Sequence, residues 1–255
     1  MQVDLNSDMG ESFGPWRMGD DAALLDVITS ANIACGFHAG DADVMAATMR
    51  RAAENGVGIG AHPGFPDLQG FGRRRMKLSA EELGNLVAYQ LGAAQALARR
   101  AGGRVRHLKL HGALSNMASE DAAMARACYR AALAVDPEII LVTLAATPME
   151  AVARELGASY ANEIFADRAY NDDATLVDRS QPGAVLHDPA VAGARMEKMI
   201  RAGGIVTESG KVIPCRIDTI CVHGDNPEAV AMARAVRDHL VGVGIAVTQF
   251  AGERG

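Results

Sequence analysis

Cysteine is scarce in this 255-residue chain, and the four present (Cys35, Cys128, Cys215 and Cys221) are scattered, with no C-x-x-C pair. That spacing excludes a disulfide framework, a zinc ribbon and a thioredoxin-like motif, and free thiols suit a reducing compartment. Positive charge is in deficit: 25 Lys and Arg face 31 Asp and Glu, the net charge is −6, and the one basic run is Arg73–Arg75. Neutralising nucleic-acid phosphates takes clustered cations, so no nucleic-acid partner is expected. No apolar run reaches the roughly 18 residues of a membrane span. Residues Met1 to Asn6 carry no basic segment leading into an apolar stretch. Neither a signal peptide nor a membrane partner is therefore expected, and the location reads as cytoplasmic. No G-x-x-x-x-G-K-[ST] loop or G-x-S-x-G elbow occurs, and Gly56-Val57-Gly58-Ile59-Gly60 lacks dinucleotide-binding spacing.

What is present is aliphatic. Hydrophobic residues make up 49% against 4% aromatics, and the 22% charged share is too low for a disordered chain. Strands are expected at Val3–Leu5, Asn32–Cys35, Val57–Ala61, Val105–Lys109, Ile139–Thr143, Ser159–Ala161, Thr219–Val222 and Ile245–Thr248. Helical stretches alternate with them at Asp20–Ser30, Asp41–Asn55, Ala80–Arg100, Ser119–Ala134, Pro148–Leu156, Pro189–Ala202 and Pro227–Val241. Ser79 with Glu82 forms a capping box before the third of these, and Ser119 is the expected cap of the fourth. Ile205–Val206 and Val212–Ile213 read as a hairpin. Strand–helix alternation over this length predicts a (β/α) barrel of seven or eight parallel strands, one domain over residues 1–255. An open doubly wound sheet is the rival. The Ala-rich helix faces could support a homo-oligomer.

Strand side chains alternate faces, which turns the polar residues into a pattern. Val3 and Leu5 oppose Asp4, Asn6 and Asp8; Ile33 and Cys35 oppose Asn32 and His38; Ile59 and Ala61 oppose Gly58, Gly60 and His62. Leu108 and Leu110 oppose His107, Lys109 and His111, and Ile220 and Val222 oppose Cys221 and His223. If the apolar faces pack on outer helices, Asp8, His38, His62, Lys109, His111 and His223 converge at the C-terminal mouth of the barrel, where active sites of this architecture sit. A buried lysine needs an anion, and Asp4 offers one. His107 reads as structural. Asp8, His38 and His62 have the donor types for a divalent metal such as zinc. Beyond the strands, Glu11 is placed as an acid/base or lysine partner. Arg73, Asp167 and Arg168 lie in loops that could present donors to a carboxylate or phosphate.

These segments together resemble the LamB/YcsF family. The resemblance rests on Asp4-Leu5-Asn6-Ser7-Asp8-Met9-Gly10-Glu11, on Asn32-Ile33-Ala34-Cys35-Gly36-Phe37-His38-Ala39-Gly40-Asp41 and on Gly60-Ala61-His62-Pro63-Gly64-Phe65-Pro66-Asp67. It continues through Gly70-Phe71-Gly72-Arg73-Arg74, Phe165-Ala166-Asp167-Arg168-Ala169-Tyr170 and the run from Asp218 to Pro227, in order over practically the whole chain. One departure is Leu110 and Ser115 in Lys109-Leu110-His111-Gly112-Ala113-Leu114-Ser115-Asn116, where the family usually has Pro and Tyr.

The resemblance implies a barrel like those of polysaccharide deacetylases and some glycoside hydrolases. It also implies one component of a three-part, ATP-dependent 5-oxoprolinase, opening 5-oxo-L-proline to L-glutamate together with subunits B and C. An unstrained lactam needs carbonyl activation, a water nucleophile and a protonated leaving nitrogen, and ATP would serve by phosphorylating the amide oxygen. On this reading Lys109 with Arg73 or Arg168 holds phosphate or carboxylate, Asp8 or Glu11 is the base, and His62 or His111 carries the proton. Asn6, His38, Asp167 and His223 complete the expected substrate- or nucleotide-binding set. Two alternatives stand beside it: a self-sufficient metal-dependent amide hydrolase or deacetylase, and a non-catalytic substrate-binding subunit.

Overall fold

The computed structural model describes residues 1–178, 180–224 and 228–254. In chain order the elements are β1 (Gln2–Met9), α1 (Asp21–Leu24), β2 (Ser30–Ala34), α2 (Ala42–Glu54), β3 (Gly58–His62), α3 (Ala80–Arg100), β4 (Val105–Lys109), α4 (Gly112–Glu120) and α5 (Ala122–Val135). They continue with β5 (Ile140–Leu144), α6 (Pro148–Glu155), β6 (Ser159–Phe165), α7 (Pro189–Ala202), β7 (Gly204–Val206), β8 (Val212–Pro214), β9 (Thr219–Val222), α8 (Ala229–Gly242), β10 (Ala246–Val247) and β11 (Glu253–Arg254). Strands β1 to β6 pair in sequence order, and β9 pairs with both β6 and β1, closing a parallel barrel of seven strands. Of the eight strands expected, Ile245–Thr248 shrinks to the two residues of β10, which pair only with Gln2 and Val3 at the foot of β1. β7 and β8 form the anticipated hairpin outside the barrel.

Alternation sets the layers. Val3, Leu5, Ile33, Ile59, Leu108 and Ile220 belong to the apolar core shared with the outer helices. Asp4, Asn6, Asn32, His107, Lys109 and Thr219 point inward, as their mutual hydrogen bonds show. The foot of the barrel is closed by Ile140, Val142, Ala161 and Phe250 from the C-terminal segment, whose ring meets His107 edge-on at 5.2 Å. Gly60 leaves room for the inward His107 imidazole, which a Cβ at residue 60 would overlap. No helix among the described residues is long and apolar enough to cross a membrane.

Local chemistry explains where elements start and stop. The capping box before α3 is present: Ser79 N donates to Glu82 Oε2 at 2.7 Å, and Glu82 N donates to Ser79 Oγ at 3.2 Å. The helix expected over Asp20–Ser30 is only the short α1, because Thr29 and Ser30 turn inward and both donate to Asp4 Oδ1 at 2.7 Å. Ser119 caps nothing; it lies in α4 and donates to Asn116 O at 2.8 Å. Asp121 caps α5 instead, accepting from Ala123 N at 2.8 Å. The expected helix start at Pro227, with Asp225 and Asn226 of the run before it, lies outside the described residues.

Gly60→Ala is expected to cost at least about 1–3 kcal/mol by overpacking against His107. Gly92→Ala, inside α3 with open space where its Cβ would lie, should instead gain about 0.5–1 kcal/mol. Urea melts of both variants check the pair. Asp4 is pushed up to about 6 by burial, against the hydroxyls of Thr219, Thr29 and Ser30. The fold therefore binds its proton more tightly than the unfolded chain does. Its contribution is full below about pH 4 and is lost as pH rises through about 6. Relative to wild type, Asp4→Asn should gain on the order of 2–3 kcal/mol between pH 4 and 7. A pH-independent difference between the two proteins would contradict this assignment.

Candidate active site

The C-terminal ends of the barrel strands open on a cavity of about 330 Å³ lined by Asp8, Glu11, His62, Lys109, His111 and His223, among others. Such a volume lies at the small end for small-molecule sites. Each residue arrives by the inward parity of its strand or by the turn that follows it. Gly10, which carries Glu11 into the site, has φ +67°, a conformation that suits glycine.

Lys109 is the centre. Its side chain is only 5% exposed, and Nζ lies 2.8 Å from Asp8 Oδ1, 2.8 Å from Glu163 Oε1 and 3.1 Å from Cys221 Sγ. Asn6 Oδ1 lies further off at 3.5 Å, so the three donors are shared among four acceptors. Burial works against every charge here. Even so, His62 and Lys109 hold Asp8 well below the usual carboxylate range, while Asp8, Cys221 and Glu163 hold Lys109 well above the usual ammonium range. Burial raises Glu163, and Lys109 opposes that rise. The pair is braced from below: Asn32 donates to Asp8 Oδ1 at 2.9 Å and to Asn6 Oδ1 at 2.7 Å, and Asn6 donates to Glu163 Oε1 at 3.0 Å. Asp4, offered by parity as the lysine's counter-ion, is occupied at the barrel foot by three hydroxyls and is not that partner.

Glu163 escapes a reading of the sequence because Asn162-Glu163 looks like the end of a strand. β6 runs on to Phe165, and continuing the alternation inward from Ala161 would have found it. Asn32, by contrast, is on the inward list, though its role as a brace is not evident from parity.

Beside the lysine, His62 and His111 face each other, Nε2 to Nδ1, at 3.0 Å. His38 stacks on His111 with ring centroids 3.6 Å apart. Burial and the neighbouring His62 bring His111 down to about 3, and burial with His111 and His62 keeps His38 well below the usual imidazole range. Glu11 Oε1 lies 3.7 Å from His38 Nε2 and 3.8 Å from His111 Nδ1. The donor atoms of Glu11, His38, His62 and His111 form one cluster, and those of Asp8, Cys221 and His223 form another. The trio Asp8, His38 and His62 is therefore divided between them, although Asp8 Oδ2 is 3.4 Å from His62 Nε2.

The rim is built from loops. His223 Nδ1 is 2.7 Å from Asp167 Oδ2, and its ring stacks on Phe165 at 5.3 Å. Arg168 lines the cavity but spends donors on Val177 O at 2.6 Å and Ala184 O at 3.3 Å, tying down the loop beyond β6. Arg73 is exposed at the cavity edge, its guanidinium 4.9 Å from the Phe71 ring centroid. Arg74 pairs with Asp67, and Arg75 with Glu120. Ser115 and Leu110 both line the cavity, Leu110 as part of the apolar core.

The model of the LamB/YcsF family matches residues 3–255. The chain belongs to the LamB/YcsF family. A relative from Ruegeria pomeroyi, named as the A subunit of 5-oxoprolinase, is 68% identical over 249 residues, 98% of each chain. The crystal structure of a lactam utilization protein from Thermus thermophilus superposes with TM-score 0.92 at 43% identity, covering 98% of this chain and all of that one. A peptidoglycan N-acetylglucosamine deacetylase catalytic domain from Eubacterium rectale shares the fold alone, with TM-score 0.51 and 10% identity over 98% of this chain and 88% of that one. The LamB/YcsF barrel is thus of the deacetylase-like kind that the motifs implied.

Removing the ammonium strands two buried carboxylates. Lys109→Met is expected to cost about 3–5 kcal/mol, and adding Glu163→Gln should return part of that loss. Chemical denaturation of the single and double variants reads this out; strictly additive costs would show that the two side chains are not coupled.

Proposed function

We propose that this chain is the lactam-binding, ring-opening subunit of an ATP-dependent 5-oxoprolinase that works with subunits B and C. The observation that carries the reading is the Asp8–Lys109–Glu163 arrangement in a small polar cavity, on a chain whose relatives carry the name of a 5-oxoprolinase subunit. A five-membered lactam with one carboxylate suits a cavity of about 330 Å³.

Among the described residues no glycine-rich phosphate loop precedes a helix, yet anion-binding features meet at the cavity. Arg73 stands at its edge, and α4 begins there at Gly112 without a side-chain cap. Its positive end favours a phosphoryl group. ATP transfers its γ-phosphoryl group to the lactam oxygen and departs as ADP, which activates the ring carbon towards water; breaking the C–N bond then leaves an acyl phosphate, and a second water releases glutamate and phosphate. Lys109 holds the phosphorylated oxygen and the negative charge beside it. Asp8, kept ionised beside Lys109, or Glu11 takes the proton from the attacking water, and His62 or His111 delivers one to the ring nitrogen as the C–N bond breaks. Arg73 or Arg168 holds the substrate carboxylate, with Asn6, His38, Asp167 and His223 shaping the pocket around it.

Glutamate release from 5-oxoproline is the test, with and without ATP and with and without co-expressed subunits B and C. Turnover is expected only with both, and Lys109→Met should abolish it. Turnover by this chain alone without ATP would favour a self-sufficient hydrolase, and none under any combination would sink the reading.

A further inference from the structure

The facing histidines pose a problem that the lysine does not solve. His62 Nδ1 lies 2.8 Å from Lys109 O, and His111 Nε2 lies 2.8 Å from Phe71 O. A carbonyl only accepts, so both of those nitrogens carry the hydrogen and both tautomers are fixed. In the neutral rings the other nitrogens, His62 Nε2 and His111 Nδ1, then turn lone pairs on each other at 3.0 Å. Something positive belongs between them.

We propose that Glu11, His62 and His111 bind one divalent transition-metal ion of the zinc type, with an open position towards the cavity. Three observations carry this independently of the lactam reading. The first is spacing. Bonds of about 2.0–2.1 Å at tetrahedral angles set donor atoms about 3.3 Å apart. His62 Nε2 to His111 Nδ1 is 3.0 Å, and His111 Nδ1 to Glu11 Oε1 is 3.8 Å, on either side of that value. The second is the outer contact of each ring. A histidine that ligates a metal characteristically donates its other N–H to a carbonyl or carboxylate, as both rings do here. The third is His38. It is fully buried, and neither ring nitrogen has a hydrogen-bond partner. Its Nε2 lies 3.7 Å from Glu11 Oε1. Stacked on His111 its plane misses the ion, and a tilt of the ring would bring Nε2 in as a further donor.

Imidazole and carboxylate donors suit zinc, cobalt, nickel or iron better than magnesium or calcium. Glu11, His62 and His111 all line the cavity, and three protein ligands with a free position is the pattern of a catalytic site. Such an ion polarises a bound oxygen. With Glu11, His62 and His111 held as ligands, the roles of base and proton carrier named above fall to Asp8, whose Oδ1 is committed to Lys109 and Asn32.

The test uses the purified chain, stripped with chelator and titrated with Zn²⁺ by calorimetry and with Co²⁺ by visible absorption. One equivalent per chain is expected, with the intense bands of a low-symmetry cobalt site. Glu11→Gln and His111→Ala should weaken binding by on the order of 100-fold. His187→Ala, an exposed residue outside the cavity, should leave binding unchanged. No stoichiometric binding by the wild-type chain would overturn the proposal and leave a shared proton between the rings. Binding undiminished in both variants would overturn it as well. The wild-type titration needs no variant to fold and no substrate, so its failure leaves the glutamate-release result standing.

Discussion

A single ammonium group organises the interior of this barrel. Lys109 sits where seven strands converge, and its charge is tolerable only because Asp8 and Glu163 flank it. Those carboxylates are in turn tolerable only because the lysine and the Asn6–Asn32 amides satisfy them. The strands that carry these side chains, β1, β2, β4 and β6, are thereby fixed in register by polar contacts as well as by their backbone ladders. Buried ion pairs of this kind are weak evidence for net stability and better evidence for a purpose, since a well-packed apolar core would serve the fold at least as well.

The polar interior is layered. At the foot, Asp4 and its hydroxyl donors sit beside the apolar closure around Phe250. The amide layer comes next, then the lysine, and at the mouth the imidazoles and Glu11. The groups able to exchange protons or hold a cation thus gather at the mouth, where the cavity beside Lys109 opens. The chemistry is concentrated where strands give way to loops, on scaffolding rigid enough to hold a proton donor and an acceptor at fixed separation.

Much of this is legible in the residues. Period-two alternation places Asn6, Asp8, His62, Lys109 and His223 on inward faces, and the capping box at Ser79 marks the start of α3 to the residue. The failures have physical causes. Asp4 and Asp8 share a face of β1, so parity does not say which one meets Lys109; depth along the strand decides it, and depth depends on barrel stagger. Glu163 is hidden because a polar pair resembles a strand end, although in a barrel with a polar interior such a pair can be mid-strand. Ser119 misleads as a cap because serine at the head of an Ala-rich run is ambiguous, and the residue two positions on, Asp121, accepts the first amides of α5 instead. The pairing of His62 with His111 needs the tertiary contact of two neighbouring strand ends with the Phe71 carbonyl, which no local pattern encodes.

The closure of the barrel foot gives the molecule a direction. Phe250 and its neighbours stop one end, and β11 laces the C-terminal segment to β6. The cavity beside Lys109 opens at the other end, with Arg73 and His223 among its lining residues. A molecule that reaches Lys109 by this cavity passes that rim on arrival and again on departure, so a partner protein seated over it would act on both at once, as a stopper acts on a flask.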